Sequence, residues 1–170
     1  MSQPVPDNST RIGKWMMYAT WIIGMAMASF FFNNWQQQKH NPNQYLSSAT
    51  QHPVVLKQNN QGHYVATGMI NDVAVVFLLD TGATHVSIPA QLATKIGLQS
   101  KGEQRVSTAN GVITVYSTLL DSVSLGGLRA NNIEASINPY ANDNTVLLGM
   151  SFLKHLTLEQ RNNTLTLSTP

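Results

Sequence analysis

The residues best placed for chemistry stand where the apolar run Val75-Val76-Phe77-Leu78-Leu79 meets Asp80-Thr81-Gly82-Ala83-Thr84. A continuous apolar strand that ends in a carboxylate sets that acid at the edge of a hydrophobic core. There a neighbouring hydroxyl can hold it in place, and proton transfer is the chemistry it suits. Gly82 lets the backbone turn tightly and approach whatever the acid faces. As a bare tripeptide, Asp-Thr-Gly also reads as a loop turn; the apolar lead-in and the Ala-Thr tail distinguish this one. A second apolar strand, Val146-Leu147-Leu148, ends in Gly149 and enters a helical turn.

Other chemistries have no comparable support. His63, His85 and His155 are isolated, His40 and His52 lie in a polar stretch, and no His-Glu-x-x-His spacing occurs, so the histidines read as ordinary residues and no metal is expected. Serine has no Gly-x-Ser-x-Gly elbow. The absence of cysteine excludes disulfides, thiolate metal sites and cysteine nucleophiles. No cofactor is implied.

The elements that must position Asp80 read as short strands. The segments 64–70 and 73–79 flank the hairpin signal Asn71-Asp72, and 106–109 and 112–119 flank Asn110-Gly111, both residues of which tolerate positive φ. Gly126-Gly127 separates 122–125 from 132–137, and Asn162-Asn163 separates 156–158 from 164–167. Helix is predicted only over 89–96, with Pro89 near its start and Gly97 as its stop, and after Gly149. Many short strands with frequent turns predict a mainly β domain, a small barrel or sandwich.

With 170 residues, 42% hydrophobic and 11% charged, the chain has room for one domain plus appendages. The basic excess sits at the front, where Arg11, Lys14 and Lys39 face only Asp7; from position 40 onward the charges balance, which leaves no footprint for nucleic acid. Residues 15–32 carry no charge and as a helix rise about 27 Å, close to a hydrocarbon core. Trp15 and Trp35 flank this run, and Arg11 and Lys14 before it predict a cytoplasmic N-terminus over 1–14. The rival reading is a cleaved signal at Ala26-Met27-Ala28; Phe30, Phe31 and Phe32 continue the apolar run past that site, as an uncleaved anchor does. Residues 33–52, rich in Asn, Gln and Ser, are expected to be a flexible tether to a domain over 53–170.

Over 62–167 the sequence resembles the retropepsin-like aspartic proteases, in particular their membrane-anchored bacterial branch. The resemblance rests on the hairpin TGMINDVAVVFLLDTGATHVSIP, on the Asn110-Gly111 hairpin where the family has its flap, and on Leu147-Leu148-Gly149 followed by a short helix. It implies a single-lobe acid protease barrel after one transmembrane helix, with Asp80 as the catalytic aspartate. Thr81 ties the two active-site loops together through its hydroxyl, Gly82 lets substrate and water approach, and Leu148 and Gly149 pack beneath the loop. Ala83 lines the cleft, and Ala109, Asn110 and Gly111 form the tip of a flap over bound peptide.

Hydrolysis of this type needs two carboxylates sharing one proton. Asp72, Asp121 and Asp143 sit in polar or turn-like settings, so the second carboxylate is expected to be Asp80 of another copy, in an isologous homodimer. By resemblance to retroviral proteases, Leu165-Thr166-Leu167 is the candidate interface strand. Two membrane-tethered copies meet at raised effective concentration. The sequence therefore points to a single-pass inner-membrane aspartic endopeptidase that acts on polypeptide in the periplasm, a placement that leans on the resemblance. Two alternatives stand beside it: a non-catalytic module of the same fold that binds peptides or mediates assembly, and a tethered structural domain whose Asp80 caps a turn.

Overall fold

The computed structural model describes residues 8–46, 53–108 and 111–170. The chain divides into two compact units after Gln38. The first is built on a helix, α1 (Asn8–His40), which is long and apolar enough to cross a membrane and whose last two residues, Lys39 and His40, belong to the second unit. Trp15, Trp21, Phe30 and Phe31 are exposed on it, a surface that suits hydrocarbon better than water.

The second unit is mainly β. In chain order it contains β1 (Val54–Lys57), β2 (Val65–Ile70), β3 (Val73–Leu79), β4 (Val86–Pro89), α2 (Ala90–Ile96), β5 (Gly102–Thr108), β6 (Gly111–Leu125), β7 (Leu128–Asn138), β8 (Thr145–Leu148), α3 (Met150–Leu153), β9 (Thr157–Arg161) and β10 (Thr164–Ser168). Strands β2-β3-β8-β4-β7-β6 are neighbours in that order, and β6 returns to β2 through Met69↔Ser124 and Ile70↔Val123, which closes a six-stranded barrel. Closure is tight at Gly68, where an added Cβ would collide with Ser124 O and lie 2.7 Å from the Phe77 ring. The barrel interior is filled by Phe77, Ile88, Leu120, Leu125, Leu148 and Phe152, all essentially inaccessible to solvent.

Turn chemistry and pattern explain the local elements. Asn71 and Asp72 both adopt positive φ, 47° and 63°, as a two-residue hairpin requires, and join β2 to β3. The segments 112–119 and 122–125 merge into one strand, β6, because its apolar positions face the core on both sides of Asp121. Strands β1 and β4 have no counterpart among the predicted segments; each is four residues long, too short for alternation to register.

A separate sheet has the order β1-β10-β9. Here the structure corrects an expectation. The run Leu165-Thr166-Leu167 lies in β10, which is paired on one edge with β1 and on the other with β9, so it has no edge left for another copy. Among the described residues, β1 and β9 are the outer strands of this sheet.

Residues 33–46 also differ from the tether expected over 33–52, of which 47–52 lie outside the described residues. The helix continues through the Gln-rich stretch to His40, since glutamine and lysine favour helix and propagation costs little once a long helix exists. Asn41 and Asn43, which belong to the second unit, are buried within it. Asn43 accepts from Lys57 N (2.8 Å) and donates to Lys57 O (2.9 Å) and Val65 O (2.7 Å), so one amide serves both β1 and β2. Its backbone carbonyl accepts from Thr67 N, and Asn41 donates to Thr67 Oγ1 at 2.9 Å. Asn59 donates to His40 O at 3.1 Å. Asn43→Ala strands several of these backbone groups away from water. We expect it to lower unfolding stability of the full chain in detergent by about 2–4 kcal/mol, with Gln44→Ala within about 0.5 kcal/mol of wild type as the control.

Candidate active site

Asp80 is delivered by β3 and held by β8. The two strands run parallel with Leu79 opposite Leu148, and Asp80 N donates to Leu148 O at 3.2 Å. The chain then turns sharply: Gly82 N donates to Asp80 Oδ1 (2.9 Å) and Ala83 N to Asp80 O (3.2 Å). A carboxylate that accepts a backbone N–H inside its own turn is fixed in direction. Asp80 is half-buried, and Thr81 and Gly82 are exposed.

The loop is fastened from beneath by the start of α3. Met150 N donates to Ala83 O (2.8 Å) and Ser151 N to Thr84 O (2.9 Å), while Ser151 Oγ, itself buried, accepts from Val86 N at 3.1 Å. Gly149 is the point of closest approach. An added Cβ there would overlap His85 O and stand 2.6 Å from Ala83 O, both backbone atoms with little freedom to move.

The carboxylate opens onto a cleft of about 410 Å³. Its floor is Asp80, Gly82, Ala83, Thr84 and His85; one wall is Ser87, Leu147, Ser136 and Asn138 from the barrel. The other wall is the β5–β6 hairpin, through Val106, Ser107, Thr108, Ile113 and Val115. Among the described residues β5 pairs only with β6, so this hairpin lies outside the closed barrel and on the cleft. Asp80 is the only carboxylate among the described residues that line it.

Asp80, Gly82 and Ala83 are thus brought together at the cleft. Leu148 and Gly149 lie beneath it, fully buried. Gly111 begins β6 with φ 114°, and its carbonyl accepts from Thr108 Oγ1 at 2.8 Å, at the base of the hairpin tip. Ala109 and Asn110 lie outside the described residues. Thr81 is not among the cleft's lining residues; it lines a separate hollow of about 280 Å³ with Tyr64, Leu79, Leu153, Leu158, Gln160 and Leu165.

Several polar cleft residues escape a sequence reading. Thr84 and His85 adjoin the Asp80 motif, and that adjacency is their signal. Ser136 and Asn138 reach the cleft only because β7 runs parallel to β4, with Ser87 opposite Ser136, and nothing local marks them. His85 is not an isolated surface histidine. Its Nδ1 is buried, without a hydrogen bond, 3.6 Å from Glu134 Oε2.

The model of a family described as "gag-polyprotein putative aspartyl protease" matches residues 66–155. An uncharacterized protein encoded in the cobV 5′ region of Sinorhizobium sp. is 33% identical over 116 residues, 66% of this chain and 50% of its own length. An uncharacterized protein of Rickettsia prowazekii (strain Madrid E) is 29% identical over 104 residues, 59% of this chain and 44% of its own. The chain therefore spans about half the length of the curated relatives it matches. The crystal structure of a retropepsin-like aspartic protease from Rickettsia conorii is similar with TM-score 0.56 and 25% identity, over 69% of this chain and 90% of that one.

Because the Gly149 contact is with backbone, Gly149→Ala is expected to displace the 83–85 loop. The cost should be about 3 kcal/mol or more of unfolding stability, measured by denaturant titration, whereas Gly62→Ala, where nothing lies near the added methyl, should cost about 1 kcal/mol through its positive φ alone.

Proposed function

The chain belongs to the gag-polyprotein aspartyl protease family, with a retropepsin-like fold, and from that premise we propose that it is an aspartic endopeptidase completed by a second copy of itself. The observation that carries the reading is a single fixed carboxylate, Asp80, at the floor of a cleft overhung by a β-hairpin. One carboxylate is half of the machinery. Two of them, about 3 Å apart and sharing one proton, supply both a base and an acid, because like charges at that distance do not both ionise.

In the completed site, the ionised Asp80 of one copy takes a proton from water as its oxygen attacks the peptide carbonyl carbon. The protonated Asp80 of the other copy donates a hydrogen bond to the carbonyl oxygen, which gains the displaced electron pair. Collapse of the tetrahedral intermediate breaks the C–N bond, and the amine leaves with a proton from the dyad, giving a carboxylic acid and an amine. The Gly82 N–H keeps the carboxylate in its orientation. Gly82 and Ala83 leave room beside it for an extended substrate, and Ser107 and Thr108 of the hairpin offer polar groups above. In this scheme Thr81 joins the two active-site loops, and Ala109, Asn110 and Gly111 close over the peptide.

Helix α1 is the anchor in this reading, with the N-terminus cytoplasmic and the β unit in the periplasm of a bacterial inner membrane. The substrate is then polypeptide on that side of the membrane. The support is the apolar surface of α1 together with the positions of Arg11 and Lys14 before its apolar run.

The test uses the full chain in detergent with an unfolded polypeptide substrate, from about pH 3 to pH 8. Asp80→Asn should lower cleavage about a thousandfold or more without loss of fold. An equimolar, randomly paired mixture of wild type and Asp80→Asn should keep about a quarter of the wild-type activity, because only wild-type pairs carry both acids. Retention of half would mean each copy works alone, and no cleavage by a folded wild-type dimer would favour a peptide-binding module.

A further inference from the structure

The cleft above Asp80 has two chemically different sides, and the polar one includes a histidine with a buried, unpartnered ring nitrogen. We propose that His85, with its tautomer set by Glu134, is a specificity-determining residue, and that the recess it lines takes an asparagine or glutamine side chain of the substrate. The inference rests on the endopeptidase reading above and deepens it by naming a side chain that the site selects.

The first observation is a polar face on a sheet whose other face is core. Strands β4 and β7 run parallel, with Val86 opposite Ala135 and Ser87 opposite Ser136. Val86, Ile88, Ala135 and Ile137 are buried in the core, so strand alternation puts His85, Ser87, Glu134, Ser136 and Asn138 on the other face. His85, Ser87, Ser136 and Asn138 line the cleft. Glu134 lines the next hollow, of about 350 Å³, which His85 also borders. The hairpin wall of the cleft is apolar by contrast at Val106, Ile113 and Val115.

The second observation fixes a tautomer. His85 Nδ1 is buried 3.6 Å from Glu134 Oε2 and makes no hydrogen bond. An ionised carboxylate only accepts, so a lone pair on Nδ1 would face the lone pairs of Glu134, whereas a hydrogen on Nδ1 turns the same contact into an attraction. The Glu134 side chain is 73% exposed and can shift the short distance that a hydrogen bond still needs. The backbone around His85 is held: Ala83 O, Thr84 O and Val86 N are all bonded to the start of α3. In the neutral ring Nε2 is then an acceptor. Nδ1 is shut from solvent while the side chain is 27% exposed, so the open part of the ring is the part away from Glu134, where Nε2 stands.

The third observation supplies the complement. Asn138 Oδ1 accepts from Tyr140 N at 2.9 Å, which leaves its Nδ2 as the group to donate. The row thus offers an acceptor at His85, a donor at Asn138 and the hydroxyls of Ser87 and Ser136 between them, which do either. A carboxamide donates through its nitrogen and accepts through its oxygen, and so matches both ends. A substrate carboxylate meets the Nε2 lone pair and the charge of Asp80. A substrate cation finds Glu134 engaged by Nδ1, with Lys101 beside it in the hollow. An apolar side chain strips water from these polar groups and replaces none of their hydrogen bonds, the case in which a polar site discriminates most.

The experiment uses the full chain in detergent at a single near-neutral pH. Cleavage sites in a mixture of unfolded polypeptides, read by mass spectrometry, should show asparagine and glutamine enriched at one position relative to the cut. Synthetic peptides with glutamine or leucine at that position should then differ about tenfold in kcat/KM, in favour of glutamine. His85→Leu should bring this ratio to about one or reverse it. Glu134 acts through His85 as a positioning residue. Glu134→Leu, at an exposed position, should lower the ratio severalfold because Nδ1 loses the group that holds its hydrogen, whereas Glu134→Gln, whose Oε1 still accepts, should keep it. A ratio between two substrates is not moved by a variant that only lowers the folded fraction.

A wild type that cleaves without preference for carboxamides, or that prefers apolar side chains at every position, would overturn the inference and leave the endopeptidase reading standing. So would a glutamine preference that survives His85→Leu. A folded wild type that cleaves nothing would overturn both.

Discussion

An acid is useful at the mouth of a hydrophobic barrel only if the loop that carries it cannot relax toward solvent, and in this protein that constraint falls on the junction of β3, β8 and α3. The Asp80 turn emerges from an apolar strand, so its own backbone groups are the polar atoms at greatest risk of being left without partners. Leu148 O, Met150 N and Ser151 N satisfy them in succession, and the Ser151 hydroxyl accepts from Val86 N. Gly149 is what allows α3 to begin close enough to do this. Replace that close packing with a gap, and both the loop carbonyls and the helix N–H groups lose their partners together.

The rest of the barrel serves that junction. Parallel pairing of β3 with β8 and of β4 with β7 holds the two ends of the Asp80 loop in separate strands of one closed sheet, so the loop spans a fixed distance. The long strand β6 belongs to the barrel at its C-terminal half and to the β5–β6 hairpin at its N-terminal half. A single element thus links the core to the wall of the cleft.

Asn43 performs a similar office for β1 and β2. Its amide replaces a strand for β1, giving and accepting at Lys57 as a neighbouring peptide would, while also reaching Val65 in β2. The small β1-β10-β9 sheet is thereby tied to the barrel through residues that directly follow α1 in the chain. Polar composition alone is a poor guide to disorder where amides meet unfilled backbone groups.

Local chemistry was legible in the amino-acid order. The apolar run into Asp80-Thr81-Gly82, the turns at Asn71-Asp72, Gly126-Gly127 and Asn162-Asn163, the short helix ending at Gly97 and the length of the N-terminal apolar segment all follow from neighbours along the chain, because dihedral preference and burial periodicity act over a few residues. Partnership does not. Alternation says which face of a strand is buried and is silent on which strand lies beside it. The parallel pairings, the approach of Ser136 and Asn138 to the cleft, the place of Thr81 in a separate hollow, the burial of Asn41 and Asn43, and the central place of β10 were therefore decided only when the sheet closed. Closure selects one set of long-range hydrogen bonds from many that the local pattern allows equally, and the Asp80 cleft is a product of that selection.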